Sequence, residues 1–270
     1  MIEPFKKHVD ATPWKSLRRT IEGMCLSSEA FMAVRERFLK SYAAICVSGY
    51  ILGIGDRHLE NFLVDMKDGE VLAIDFGISF GSGVQLTIPE LTPFRLTNQL
   101  EGVMAPYSDK GVFGATMTYV ISALKDKKDI LLDCAEIFVK DPLFDWVKSA
   151  KIKQGANNPE EQEDGALIGQ QMGGLEWYPR KKIEIMKAKL EGRHPVLIMV
   201  DELEESKHGK AEYFKVLRNV LVNTTEDIAQ ALNDGVLMLN EPSEIVQCLV
   251  AMATNPNVLG RCWIGWAPYL

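Results

Sequence analysis

The sequence predicts an α+β chain, mainly α-helical, arranged around one short β-hairpin and finished by a small helical element. Three observations point there. Residues 29–50 repeat apolar side chains at steps of three and four. The runs "NFLVDM" and "EVLAID" flank Lys67-Asp68-Gly69, whose Asp-Gly pair is a strong hairpin signal. Beyond residue 110, segments with helical spacing dominate. A length of 270 residues with 47% hydrophobic and 25% charged content fits one large globular domain or two small ones.

The first strong helix covers about residues 29–50. Ser27 and Ser28 are candidate caps, and Glu29 suits the positive end of the helix dipole. Phe31, Val34, Phe38, Tyr42 and Ile45 form its predicted buried face. Gly49, Gly53 and Gly55 loosen and end it, which places Asp56 in a loop held by a packed helix. In the hairpin, a three-residue loop at 67–69 sets Met66 opposite Glu70 and, counting back along the ladder, Asn61 opposite Asp75. Directly opposed residues have Cβ atoms about 5 Å apart on one face. An amide and a carboxylate then converge at the open end, a suitable pair of hard ligands for Mg²⁺, which keeps its other positions for water and phosphate.

Residues 111–151 read as two or three helices, with Val120, Leu124, Leu131, Leu132, Ile137 and Phe138 as candidate core. Residues 154–174, "QGANNPEEQEDGALIGQQMGG", are polar, acidic and nearly free of aromatics, as expected of a flexible surface insertion. Helical signals return at Pro179 and run to about Leu190, and again over 212–222. Pro242 and Ser243 can cap "EIVQCLVAMA", after which "TNPNVLGRCWIGWAPYL" gathers Trp263, Trp266 and Tyr269. That tail reads as an aromatic anchor closing a core, and a membrane-interface role is the alternative.

A formal net charge of -7 argues against nucleic-acid binding through the chain's own surface, because phosphate affinity comes mainly from clustered Lys and Arg. The run Arg180-Lys181-Lys182 reads as a solvated helix face. The five cysteines are odd in number and widely spaced, without a C-x-x-C pair, which fits a reducing compartment. No window reaches the ~18 consecutive apolar residues of a membrane span, and the N-terminus has no apolar signal core.

Asp56 precedes Asn61 by five residues. Protein-kinase catalytic loops use that interval, with the Asp accepting the substrate hydroxyl proton and the Asn holding a metal; Asp75-Phe76-Gly77 then supplies the D-F-G of the same scheme. The loop polarity differs, since His58 follows the Asp instead of preceding it. Each piece alone has a bland reading. A D-F-G can be any strand-ending turn, and a single histidine is more often a satisfied surface residue. Their shared order, spacing and hairpin register argue against coincidence.

These motifs resemble the phosphatidylinositol 3-kinase-related protein kinases, whose catalytic loop reads G-D-R-H-x-x-N and whose metal motif is D-F-G. The likeness continues through "YILGIGDRHLENFLV", "PELTPFRLT", "FVKDPLFDW", "WYPRKKI" and "NPNVLGRCWIGWAPYL", from Trp14 to Leu270, and is strongest toward the branch that works with Ku at DNA ends. The resemblance implies the C-terminal lobe of a PI3/PI4-kinase-like catalytic domain over 1–240 and an FATC segment over 241–270. It implies an ATP- and Mg²⁺-dependent Ser/Thr protein kinase of double-strand break repair in the nucleus, with substrates in which Gln follows the Ser or Thr. Ku and DNA ends would be partners of the full-length protein, through other regions, and no membrane partner is implied.

Under the same resemblance Asp56 is the catalytic base and His58 donates toward the transferring phosphate, within a largely electrostatic mechanism. Arg57 braces the loop in preference to touching phosphate. Asn61 and Asp75 hold the metal, with Phe76 and Gly77 beside the nucleotide. Residues 77–97 become the activation segment, Pro93, Phe94, Arg95 and Leu96 its substrate-facing end, and the FATC segment its support. Two departures from the family pattern, Ala73 for a common histidine and Ile78-Ser79 for a polar pair, bear on regulation more than on metal binding.

No glycine-rich phosphate loop followed by a lysine strand precedes Asp56. The expectation is therefore the lower half of a phosphoryl-transfer site, in a partial chain inactive alone. Two other readings stay open: a non-catalytic regulatory or interaction module of the same fold, and a phosphoinositide lipid kinase. The absence of a basic run within 77–97 to meet a lipid headgroup argues against the last.

Overall fold

The computed structural model describes residues 2–139, 177–204, 213, 215–217 and 237–270. Its helices are α1 (Ile2–Ala11), α2 (Ser16–Gly23), α3 (Ser28–Leu52), α4 (Asn98–Met104), α5 (Val112–Asp126), α6 (Lys128–Val139), α7 (Trp177–Glu191), α8 (Pro195–Glu204), α9 (Pro242–Thr254) and α10 (Pro256–Leu259). Strands β1 (Phe62–Val64) and β2 (Val71–Ala73) pair as an antiparallel two-stranded sheet. The mainly helical α+β architecture agrees with the sequence reading.

Helix α3 is the axis of the fold. Its cap is Ser27, whose side chain accepts the Ala30 N–H at 3.2 Å. Phe31, Phe38 and Tyr42 are buried as predicted, while Val34 and Ile45 lie partly buried at the margin. The buried stripe is wider than one face and takes in Leu39, Ala43, Cys46, Val47, Tyr50 and Ile51, because α5 packs along one side of α3 and α2 and β2 along others. Gly53 ends the helix in the left-handed region at φ 63°. Ile54 N–H then reaches Gly49 O at 2.8 Å and Gly53 N–H reaches Tyr50 O at 3.2 Å, a paired closure of a helix end that a Cβ would oppose.

The hairpin exists, but its register differs by one from the prediction. Phe62 faces Ala73, Leu63 faces Leu72 and Val64 faces Val71, so Asn61 falls opposite Ile74 instead of Asp75. The cause is a four-residue loop. Gly69 N–H bonds Asp65 O at 2.8 Å, the Asp65 carboxylate accepts Lys67 N–H at 2.7 Å, and Asp65 N–H pairs with Glu70 O at 2.8 Å, which draws Met66 into the turn. Gly69 adopts φ 83° there, with its Cα face against Val34 of α3.

Two other expectations are corrected. Ile137 is 76% exposed, since it lies on the outer side of α6, whereas Val120, Leu124, Leu131 and Leu132 pack against the core. Lys182 is buried and lies 3.8 Å from the Glu202 carboxylate; of the run Arg180-Lys181-Lys182, the third residue shares the inward face of α7 with Met186, Lys189 and Leu190. Lys189 is also buried, donating to Tyr50 O at 2.8 Å. The expected insertion at 154–174, the stretch "FVKDPLFDW", the side chain of Phe138 and most of 212–222 lie outside the described residues.

Three apolar clusters hold these elements. The main one surrounds α3 and includes Ile245, Leu249 and Ala253 of α9; the second joins Val84 and Leu91 to α8 and to Met252 and Val258; the third is Phe5, Leu259 and Trp266. The C-terminal stretch therefore contributes to all of them. Pro242 occupies the first turn of α9, and Glu244 accepts the Glu241 N–H at 3.3 Å, so the cap is Glu241 and not the Pro-Ser pair. Among the described residues, no helix is long and apolar enough to cross a membrane.

Candidate active site

The end of α3 delivers Gly55 and Asp56 into a short loop that precedes β1. Asp56 itself is left-handed, at φ 56°, and Asp75, just past β2, is left-handed at φ 57°. Side chains other than glycine adopt that region at a cost of about 1–2 kcal/mol, and such strain persists only where surrounding bonds over-determine it. Those bonds are present on both sides of the Asp56 peptide unit. Its N–H donates to both oxygens of the Glu90 carboxylate, at 2.9 and 2.7 Å, and its C=O accepts the Asn61 side-chain amide at 2.6 Å.

Arg57 joins this loop to the D-F-G stretch. Its side chain donates from Nε to Gly55 O at 2.8 Å, from one terminal nitrogen to Ile74 O at 2.8 Å, and from the other to Asp75 O. The guanidinium also lies 5.9 Å from the Phe62 ring and 5.7 Å from the Phe76 ring. Burial lowers its pKa, with Asp56, Asp75 and Glu90 acting in the opposite sense, and the guanidinium stays charged at neutral pH. A rigid five-donor fork can serve three carbonyls on two chain segments, which an ammonium point charge cannot.

His58 stands beside Asp56, with Nε2 3.8 Å from the Asp56 carboxylate. Its Nδ1 accepts the Glu60 N–H at 3.2 Å. In the neutral ring that acceptor role assigns the proton to Nε2, the nitrogen on the Asp56 side. Asn61 is buried, and with its amide nitrogen engaged by Asp56 O its Oδ1 remains as an acceptor. Asp75 is exposed; one of its carboxylate oxygens accepts the Gly77 N–H at 3.0 Å, which closes the turn after Phe76.

Asn61 and Asp75 are thus joined through Arg57 and Asp56, and through the Ile74 N–H bonded to Asn61 O at 3.1 Å, and not by direct cross-strand opposition. Their donor chemistry, one amide oxygen and one carboxylate, suits Mg²⁺, which takes one or two protein oxygens and leaves the rest to water and phosphate. Among the described residues, no group of three or more His, Cys, Asp or Glu side chains could cage a metal.

Sequence reasoning missed Glu90. It is partly buried in the segment after the D-F-G, and burial raises its pKa, with the Asp56 N–H bond opposing and the Asp56 charge adding to the rise. One local sign was available: it is the single charged residue between Asp75 and Arg95. At the far end of the same segment Arg95 is fully buried against the C-terminal tail.

The profile of the phosphatidylinositol 3- and 4-kinase family matches residues 5–148, and that of the FATC domain matches 242–270. A DNA-dependent protein kinase catalytic subunit of Dictyostelium discoideum is 36% identical over 97% of this chain, and that of Mus musculus is 40% identical over 98%. A probable serine/threonine-protein kinase smg1 of Dictyostelium discoideum is 38% identical over 56% of it. In each case the chain spans only 6% of the relative's own length.

Proposed function

The chain belongs to the phosphatidylinositol 3- and 4-kinase family, with the related protein kinases, and on that premise we propose that it forms the base- and metal-bearing half of a serine/threonine kinase site. The observation that carries the reading is the frame made by Asn61 and Arg57. The first ties its side-chain amide to Asp56 O, and the second ties the Asp56 loop to Ile74 and Asp75. A base and a metal ligand 19 positions apart become one rigid unit.

Within that unit Asp56 accepts the proton of a Ser or Thr hydroxyl, and the Nε2–H of His58 donates to phosphoryl oxygen. Asn61 Oδ1 and the Asp75 carboxylate hold Mg²⁺, with Phe76 and Gly77 beside the nucleotide. Arg57 keeps the loop and the metal turn in register. Mg²⁺-ATP, when bound, supplies the phosphoryl group and neutralises its charge. We assign to the longer protein, on its likeness to DNA-dependent protein kinase subunits, substrates with Gln after the Ser or Thr, a nuclear role in double-strand break repair by end joining, and Ku and DNA ends as partners. The net charge of -7 argues that those partners are met through other regions.

Calorimetric titration of the chain with Mg²⁺-ATP, with Asp75→Ala alongside, tests the site. Binding that Asp75→Ala abolishes supports it, and phosphorylation of a Ser-Gln peptide after the chain is joined to a complete N-terminal lobe extends it to transfer. If wild type and Asp75→Ala bind equally, the nucleotide reading of this chain fails and a regulatory module of the same fold takes its place.

A further inference from the structure

The segment following the D-F-G folds back on the catalytic loop through a ladder of backbone bonds. Phe80 N–H reaches Leu52 O at 2.9 Å, Gly81 N–H reaches Gly53 O at 2.9 Å, and Gly55 N–H reaches Ile78 O at 2.8 Å. The ladder stops one residue short of Asp56. There the partner changes from backbone to side chain, and the Asp56 N–H is taken by the Glu90 carboxylate.

That carboxylate sits in a cradle of two glycines. A Cβ on Gly55 would strike its Oε2, and a Cβ on Gly83 would lie 2.7 Å from the same atom. Glu90 is itself fixed by its own N–H, which donates to Gly83 O at 3.1 Å. We infer that Glu90 is a positioning residue, whose carboxylate holds the Asp56 peptide unit in its left-handed conformation and so aims the Asp56 side chain, coupling the base to the placement of the activation segment. The inference rests on the kinase reading for the role of Asp56, while the coupling stands on the geometry alone. A segment displaced at residues 83–90 would withdraw the acceptor and release the base.

The test compares Glu90→Gln, which keeps an acceptor oxygen, with Glu90→Met, which keeps the volume without one. Deuterium exchange at the Asp56 amide is followed by NMR in the full chain, with thermal unfolding as the folding control. Exchange at least tenfold faster in Glu90→Met and within about threefold of wild type in Glu90→Gln is the expected result, since a partly buried N–H left without its acceptor opens to solvent more readily. Unchanged exchange in Glu90→Met overturns the proposal. Equal acceleration in both variants also overturns it, because an acceptor oxygen at residue 90 would then not restore the hold on the Asp56 N–H. In peptide transfer by the chain joined to a complete N-terminal kinase lobe, kcat falls at least tenfold in Glu90→Met with the KM for ATP unchanged, and recovers in Glu90→Gln; an unchanged kcat overturns the positioning role. Exchange requires neither nucleotide nor transfer, so failure of Mg²⁺-ATP binding in wild type would count against the kinase reading without deciding the hold of Glu90 on Asp56.

Discussion

Arg95 and Trp266 lock the C-terminal tail to the end of the 77–97 segment across 171 positions of sequence. The guanidinium of Arg95 lies 4.6 Å from the Trp266 ring centroid and donates to Trp266 O at 2.5 Å and to Ala267 O at 2.7 Å. Tyr42 of α3 completes the joint by donating to Arg95 O at 2.5 Å. Burial lowers the Arg95 pKa to about 10, still far enough above neutrality to keep the charge. Trp266→Ala removes the largest side chain of the third core and is expected to lower unfolding free energy by about 3–5 kcal/mol. Arg95→Lys, which cannot serve both carbonyls from one rigid fork, costs about 2 kcal/mol. Urea denaturation followed by tryptophan fluorescence measures both, and an Arg95→Lys midpoint equal to wild type would refute the two-carbonyl clamp.

Arg57 makes a similar joint inside the site. With 6% of its surface exposed, its loss leaves the Gly55, Ile74 and Asp75 carbonyls short of a donor. Arg57→Ala is expected to destabilise the chain by about 2–4 kcal/mol, and Arg57→Lys to recover less than half of that. On the proposed kinase role, nucleotide affinity falls in step, because the turn at Asp75 loses its tie to the Asp56 loop. Full Mg²⁺-ATP binding by Arg57→Lys, measured by calorimetry, would be incompatible with this bracing role.

Acid sensitivity centres on a different residue. His194, at the start of α8, is buried, accepts the Val196 N–H on Nδ1 at 3.3 Å and places Nε2 3.6 Å from Cys248 Sγ of α9. Burial lowers its pKa from 6.5 to about 4. Between those values the unfolded chain binds the proton that the folded chain refuses, so stability rises with pH across the window and is lost as pH falls through it. The loss between pH 7 and pH 5 is about 2 kcal/mol. Urea midpoints at the two pH values should separate wild type from His194→Gln, whose amide oxygen can still accept the Val196 N–H. Parallel pH dependence in the two proteins would remove His194 as the cause.

Helix α3 and the hairpin were legible because each is written in local periodicity and turn chemistry. The register was not. Asp68-Gly69 locates a turn without counting its residues, and the count was decided by the Asp65 side chain, which caps Lys67 N–H and brings Met66 into the loop. A one-residue slip ordinarily turns a side chain to the other face of a sheet. Asp75 escapes that rule because it has already left the strand in a left-handed turn. Glu90 and Lys182 were illegible for a different reason, since their partners, Asp56 and Glu202, are set by tertiary packing. No period or motif near either residue encodes that contact.

The left-handed conformation of Asp56 gives a stability signature of its own. At an ordinary helical position glycine is less stable than alanine by about 1 kcal/mol. At φ 56° the order reverses, because alanine brings a Cβ into the disfavoured region while glycine does not. Asp56→Gly is therefore expected to be more stable than Asp56→Ala by about 1 kcal/mol in urea denaturation. Both variants keep the Glu90 and Asn61 bonds, which run to the backbone of residue 56 and not to its side chain. On the proposed kinase role both lose the proton acceptor, so peptide transfer by the chain joined to a complete N-terminal lobe falls by about 10²–10⁴-fold whichever is the more stable. Equal stability of the two variants would mean that residue 56 is not held left-handed in solution, and the aim of the base would then need another source.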